Sequence, residues 1–186
     1  MEKTNEKVIL RPLEENDRDR FIRDNQYAFR YGAMEEFGER DSHFEEDGEI
    51  ISRKTIENCI DREGSEAYRI VCGGKNAGGV VIHTDKESGK GELELIFVSP
   101  DVHSKGIGYA AWQAVEAIHP EITVWETVTP YFEKRNIHFY VNRCGFHIVE
   151  FYNEFHAEPH SEGDYDVPEA GGPGEMFRFR KVIEKE

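Results

Sequence analysis

Between Glu92 and Ile118 the chain passes from a strand through a glycine-bearing turn into a helix, tying one sheet strand to one packed helix. Glu92-Leu93-Glu94-Leu95-Ile96-Phe97-Val98 alternates at first and then becomes continuously apolar, the pattern of a strand entering the protein's centre. Ser99-Pro100-Asp101-Val102 interrupts it. From Gly106 onward Ile107, Ala110, Ala111, Ala114, Val115 and Ile118 recur at steps of three and one, which predicts an amphipathic helix ended at His119-Pro120, since proline cannot continue it. The first N–H groups of such a helix have no intrahelical acceptors and lie at the positive end of its dipole, so they favour phosphate oxygens. Gly106 and Gly108 lack the Cβ atoms that would hold a pyrophosphate away.

The elements on either side bound the fold. Val8 to Leu13 reads as a strand and is followed by a helix carrying Phe21, Ile22, Ala28 and Phe29. The acidic stretch from Met34 to Ile50 is too polar for a core and reads as a loop or frayed helix, after which Ser52 caps a helix with Ile56, Cys59 and Ile60, ended by Gly64. Glu66–Cys72 and Gly78–Asp85 form a hairpin through Gly73-Gly74-Lys75-Asn76. A strand at Ile122–Thr127 leads to a helix through Phe132, Ile137, Phe139, Tyr140 and Val141, closed by Gly145, and Phe146–Phe155 and Met176–Ile183 supply two last strands. Residues 156–175 hold Pro159, Gly163, Pro168, Gly171, Gly172, Pro173 and Gly174 and read as a loop insertion. Antiparallel strands early and strand–helix units late predict an α+β protein, one domain over residues 1–186 with a twisted mixed sheet of six or seven strands and about four helices.

Composition narrows the partners. Asp and Glu outnumber Lys and Arg by 38 to 23, and the formal charge of −15 repels nucleic-acid phosphates and anionic lipid surfaces. No apolar run reaches the ~18 residues of a membrane span. The three cysteines, Cys59, Cys72 and Cys144, form no CxxC pair, which suits reduced thiols in the cytoplasm.

His103 to Gly108 resembles the acetyl-CoA signature of the GNAT (GCN5-related) N-acetyltransferases, Gln/Arg-x-x-Gly-x-Gly/Ala after a strand and a short Pro-containing connection, with His103 in place of Gln or Arg. Asn136-Ile137-His138-Phe139-Tyr140-Val141-Asn142-Arg143-Cys144-Gly145-Phe146 is similar to the family's later pattern of Asn, aromatic-Tyr and Gly-Phe. The two motifs follow the family's order and spacing, and the resemblance extends over roughly residues 7 to 155. It implies a GNAT-like acyl-CoA N-acyltransferase fold, a gap between the strand ending at Val98 and the strand around Trp125, and acetyl-CoA as cosubstrate held by Phe97, Val98, His103, Ser104, Lys105, Gly106, Ile107, Gly108, Tyr109 and Asn136. It also implies direct acetyl transfer in a ternary complex to an amine acceptor, small molecule or peptide, and is compatible with a homodimer.

Amine acylation needs a neutral amine, a dipole for the oxyanion and a proton for the leaving thiolate. Glu92 and Glu94 share a strand face by the two-residue period; either is a candidate base, and both would also suit a plain solvent-facing edge. The resemblance assigns the oxyanion to the Val98 N–H and the proton donor to Tyr140. Tyr140 stands five residues before Gly145 where four is commoner, so at ~100° per residue its hydroxyl reaches the sulfur only if the helix bulges. Tyr140 as core packing and Asn136 as a helix cap are the plain alternatives. The acidic stretch occupies the family's acceptor side, where it would guide a cationic amine or simply be solvated. His103, His119, His138 and His147 are read as surface or packing residues, and His156, His160, Asp164 and Asp166 lack a metal-ligand spacing, so no metal is expected. Two rival readings remain: a non-catalytic acyl-CoA-binding sensor, and a dinucleotide oxidoreductase in which Gly106-Ile107-Gly108-Tyr109-Ala110-Ala111 spells GxGxxA and Glu126 binds a ribose.

Overall fold

The computed structural model describes residues 7–37, 47–102, 106–159 and 175–184. Gly73 and Gly74, at φ of 57° and 75°, make a two-residue turn whose twist matches an antiparallel ladder, joining β2 (Ser65–Cys72) to β3 (Lys75–Asp85). β1 (Val8–Pro12) pairs with the outer side of β2, and β4 (Lys90–Val98) continues the antiparallel run after β3. β4 then connects through α3 (Ile107–Ile118) to β5 (Val124–Pro130), its parallel neighbour. β6 (His147–Tyr152) and β7 (Met176–Val182) complete one seven-stranded sheet, in which β7 lies between β5 and β6. The antiparallel order from β1 to β4 is not the βαβ winding that the dinucleotide reading requires.

Helices cover both faces, as the two-sided apolar pattern of β4 requires. On one face α1 (Arg18–Phe37) and α2 (Arg53–Asp61) pack Phe21, Ile22 and Ile56 against Val81, Leu95 and Phe97. On the other, Trp112 and Val115 of α3 meet Trp125, Tyr140, Phe146 and Phe179, with the two tryptophan rings edge to face at 5.1 Å. Ser52 caps α2 as the sequence predicts, its Oγ accepting from the Thr55 N–H at 3.0 Å.

Several boundaries differ from the sequence reading. α1 runs into the acidic stretch as far as Phe37; residues 38–46, with Glu39, Asp41, Glu45 and Glu46, lie outside the described residues. β5 begins at Val124 because Ile122 is held in a turn by the His119 carbonyl at 3.1 Å, and it continues to Pro130 because β7 pairs along its whole length. His119 is buried, its ring against Trp125. Of the 156–175 insertion, residues 160–174 lie outside the described residues.

One buried cation ties the first helix to the sheet. Arg69 on β2 is 1% exposed and donates from Nε to Asp17 at 2.6 Å and from Nη1 to Asp24 at 2.8 Å, with Phe21 under its guanidinium. The bond from Arg69 holds the Asp17 carboxyl below its ordinary value despite the opposing effect of burial. Its stabilising contribution is therefore complete above the unfolded value near pH 3.8 and disappears as pH falls through the lower folded value. Asp17→Asn should lower stability at pH 7 by about 2 kcal/mol, seen as a Tm drop of about 4–8 °C, and the difference from wild type should vanish in acid. An unchanged Tm at pH 7 would remove Asp17 from this role.

Candidate active site

β4 and β5 begin as neighbours and then part. Their parallel ladder holds for three rungs only, Lys90 with Val124, Gly91 with Trp125 and Glu92 with Glu126. Where the ladder ends, the Thr127 Oγ1 donates to the Leu93 carbonyl at 2.9 Å, so a side chain spans the widening interval. From there β4 follows β3 to Val98 while β5 follows β7 to Pro130. The gap thus opens at Thr127, between the two strands that the resemblance implies; Trp125 itself is still paired with Gly91. At the far end of β4 the Ser99 N–H donates to the Ala77 carbonyl at 2.8 Å; by strand alternation the Val98 N–H is turned the other way, toward the gap.

α3 starts beside that end of β4. Gly106 is its N-cap residue, with φ of 99° in the left-handed region and no side-chain cap bond, and the first intrahelical bond runs from the Ala110 N–H to the Gly106 carbonyl at 2.9 Å. The N–H groups of Ile107, Gly108 and Tyr109 precede it and have no acceptor within the helix. Among the described residues a Cβ on Gly106 would meet no atom within 4 Å, whereas one on Gly108 would lie 3.4 Å from the Phe139 ring. Open, uncapped amides at the mouth of a gap between strands fit a pyrophosphate with an extended tail. The Ile107 side chain is buried, and the Tyr109 ring lies under the Arg143 guanidinium at 5.4 Å. Phe97 turns its side chain into the α1 face, edge to face with Phe21 at 5.2 Å, leaving only its backbone to the gap. His103, Ser104 and Lys105 lie outside the described residues.

The bulge that the spacing of Tyr140 requires is present. α4 (Lys134–His138) passes into a π turn over Phe139–Arg143, marked by a bond from the Cys144 N–H to the Phe139 carbonyl at 3.0 Å, five residues back. One extra residue per turn absorbs the rotational offset. Tyr140 is buried, 7% exposed, among Phe139, Phe146 and Phe179, and its hydroxyl interacts with Thr127 at the point where the strands part. Burial pushes the phenol up to about 12, partly opposed by the Thr127 hydrogen bond, so it stays protonated at neutral pH. Asn136 is not a helix cap, a position held by Glu133; it sits inside α4 and donates to the Thr129 Oγ1 of β5 at 3.4 Å.

Glu92 and Glu94 line a cavity of about 250 Å³ on the α1–α2 side of the gap, with Arg62, Glu126, Thr127, Tyr152 and Arg178 among its walls. They share a face by strand alternation, and just beyond Leu93 the alternation is interrupted. Val81 pairs with Leu95 and Ile82 with Leu93, which leaves Glu94 as the extra residue of a β-bulge, and so Leu93 and Leu95 join cores on opposite faces. Arg62 Nη1 donates to Glu92 at 2.7 Å and also to Glu94. Across the cavity Glu126 accepts from Arg178 and, at 2.7 Å, from Arg180. Burial raises the Glu126 carboxyl, but the two arginines outweigh it and hold it below its ordinary value. That pairing leaves Glu126 no role at a ribose on the α3 side.

The model of the acetyltransferase (GNAT) family matches residues 23–146. The chain belongs to that family. Its strands and helices form the GNAT-like α+β fold, and solved structures agree. The Escherichia coli ribosomal-protein-S18-alanine N-acetyltransferase superposes with a TM-score of 0.65 at 15% identity, covering 96% of each chain. Vibrio cholerae spermidine N-acetyltransferase, solved with CoA and spermine, gives 0.62 at 16% identity over 95% of each. At such identity the likeness is one of fold. A Bacillus subtilis (strain 168) protein, the uncharacterized YrkN, is 44% identical over 98% of this chain and 97% of its own. Family and fold together support acetyl-CoA-dependent acetyl transfer in general.

Within this GNAT chain, Tyr152, Glu158 and Arg178 of the cavity lie beyond the residues that the family model matches. They and Arg62 carry no motif, and sequence reading did not find them; only the meeting of the end of α2, β6, the segment after β6 and β7 around the gap brings them to β4. Among the described residues no group of three or more His, Cys, Asp or Glu is placed to hold a metal ion. His156 meets Glu150 at 3.1 Å and stacks on Tyr152, while His160, Asp164 and Asp166 lie outside the described residues. No described helix is long and apolar enough to cross a membrane.

Proposed function

We propose that the protein is a cytoplasmic N-acetyltransferase that moves the acetyl group of acetyl-CoA to a primary amine, on a small molecule or peptide that is cationic in solution, by direct attack in a ternary complex. The parting of β4 and β5 beyond Glu92 and Glu126 carries the reading, because it joins an uncapped helix start to an acidic cavity through one gap. The amides of Ile107, Gly108 and Tyr109 hold the pyrophosphate, and the free backbone of β4 takes the tail. Acetyl-CoA supplies the thioester whose carbonyl carbon the amine attacks.

The protein's part in the chemistry is proton handling and charge. Glu92 or Glu94, directly or through water, takes the proton that the ammonium must lose before its lone pair can form the C–N bond. The Val98 N–H faces the oxygen that gains charge as that bond forms. Tyr140 gives a proton to the sulfur as the C–S bond breaks, and the second proton, which the acylated nitrogen sheds, returns through water to the phenol, leaving free CoA thiol and the N-acetyl product. A panel of primary amines scored by thiol release tests the reading; acetyl-CoA binding with no release from any amine would favour the sensor reading instead.

Glu92→Gln and Glu94→Gln, measured separately, should behave differently. The variant that removes the base should lose about 100-fold in kcat with little change in KM, and the other should stay within a few-fold of wild type. Equal, small losses in both would assign proton removal to solvent alone.

A further inference from the structure

Arg62 is anchored more firmly than a surface arginine. It stands between α2 and β2, where its N–H donates to the Asn58 carbonyl at 3.0 Å and its own carbonyl accepts from the Ser65 N–H at 3.0 Å. From that fixed point its side chain reaches over β4, where Glu92 and Glu94 share a face, and one nitrogen, Nη1, serves both carboxylates. Burial pulls the guanidinium down, and Glu92 and Glu94 more than offset this, so it stays charged at any working pH. Arg178 repeats the arrangement on the facing wall, bound to Glu126 and, at 3.1 Å, to the Tyr152 hydroxyl. The cavity's acids are therefore interleaved with two fixed cations.

Building on the acetyltransferase reading, we propose that Arg62 is a specificity-determining residue that makes the acceptor cavity select amines with a single positive charge. An ammonium held by Glu92 or Glu94 shares them with the guanidinium as a near neighbour. A second ammonium on the same acceptor meets either Arg62 or, farther along the cavity, Arg178. A neutral tail meets no such opposition from either arginine, whereas a carboxylate tail would face Glu126 and Glu158 of the same lining. The overall charge of −15 suggests polycations as acceptors, but the local arrangement around β4 argues for monoamines.

Two probes of equal carbon length separate charge from size: n-butylamine and 1,4-diaminobutane, titrated calorimetrically into the CoA-loaded protein. Wild type should bind the monoamine at least as tightly as the diamine. Arg62→Gln should shift the affinity ratio toward the diamine by about fivefold or more, the effect of removing one unit charge several ångströms away at intermediate dielectric. Arg62→Lys should keep the ratio within about twofold of wild type, which a purely structural role would not require. The proposal is overturned by a ratio that Arg62→Gln leaves unchanged, by a wild type that prefers the diamine fivefold, or by binding of neither amine to any of the three proteins. Binding needs no turnover, so these outcomes are separate from the thiol-release panel: a silent panel would sink the transferase reading and leave this ratio measurable.

Discussion

Tyr140→Phe should lower kcat by about 100-fold while leaving acetyl-CoA affinity within about twofold, the range expected when one positioned proton donor is removed. The substitution deletes only a hydroxyl. The ring contacts with Phe146 at 5.8 Å and Phe179 at 5.3 Å survive in phenylalanine, so the packing and the π turn have no reason to change. What disappears is a phenol that burial pushes up to about 12 and that therefore carries its proton through the whole assay range. The sign of the pH effect follows: a donor must be protonated, so wild-type kcat should show no alkaline loss from Tyr140 below about pH 11. Single-turnover rates for the two proteins, compared from pH 7 to 10, would check both statements. A variant with undiminished kcat would return Tyr140 to core packing and leave the thiolate to solvent.

Gly106→Val should weaken acetyl-CoA binding by at least about 100-fold without unfolding the protein. The residue sits at φ of 99°, where a β-branched side chain is strained, and the strain costs about 1–2 kcal/mol if the turn is kept. Among the described residues nothing lies within 4 Å of its Cβ position, so against them the fold bears only that backbone strain. The site has no such tolerance. If the turn relaxes, the amides of Ile107, Gly108 and Tyr109 lose their common direction; if it holds, an isopropyl group stands on the residue that opens the cradle. Calorimetric titration with CoA, beside a circular-dichroism melt, separates these effects. Gly108→Ala makes an internal comparison, since its Cβ meets Phe139 at ordinary contact distance and should be much milder. Wild-type affinity in Gly106→Val would mean that the start of α3 is not the phosphate site.

Much of the fold was legible because local rules and tertiary packing agree in it. Gly73-Gly74 admits a tight antiparallel turn, Ser52 finds the Thr55 amide, and the four-residue spacing of Ile107, Ala111 and Val115 faces the sheet as the period requires. The readings that moved were those in which a partner strand decides the outcome. β5 reaches Pro130 only because β7, some fifty residues later, supplies its ladder. The offset of Tyr140 from Gly145 was visible in the sequence; its resolution by a π turn was not, because i→i+5 bonding has no residue signature of its own.

By itself the sequence determined the α+β class and the strand–turn–helix that opens α3, since these depend on periodicity and spacing along a continuous segment; Glu92 and Glu94 became candidates through their two-residue period, and Asn136 and Tyr140 through the family resemblance. Tertiary structure alone decided where β4 and β5 separate, that Glu94 is a bulge residue, and that Arg62 and Arg178 stand among the cavity's carboxylates. The strand separation and the two arginines depend on the approach of segments that lie 30 or more residues apart, and the bulge on the register of β4 against β3, none of which a pattern within one segment encodes.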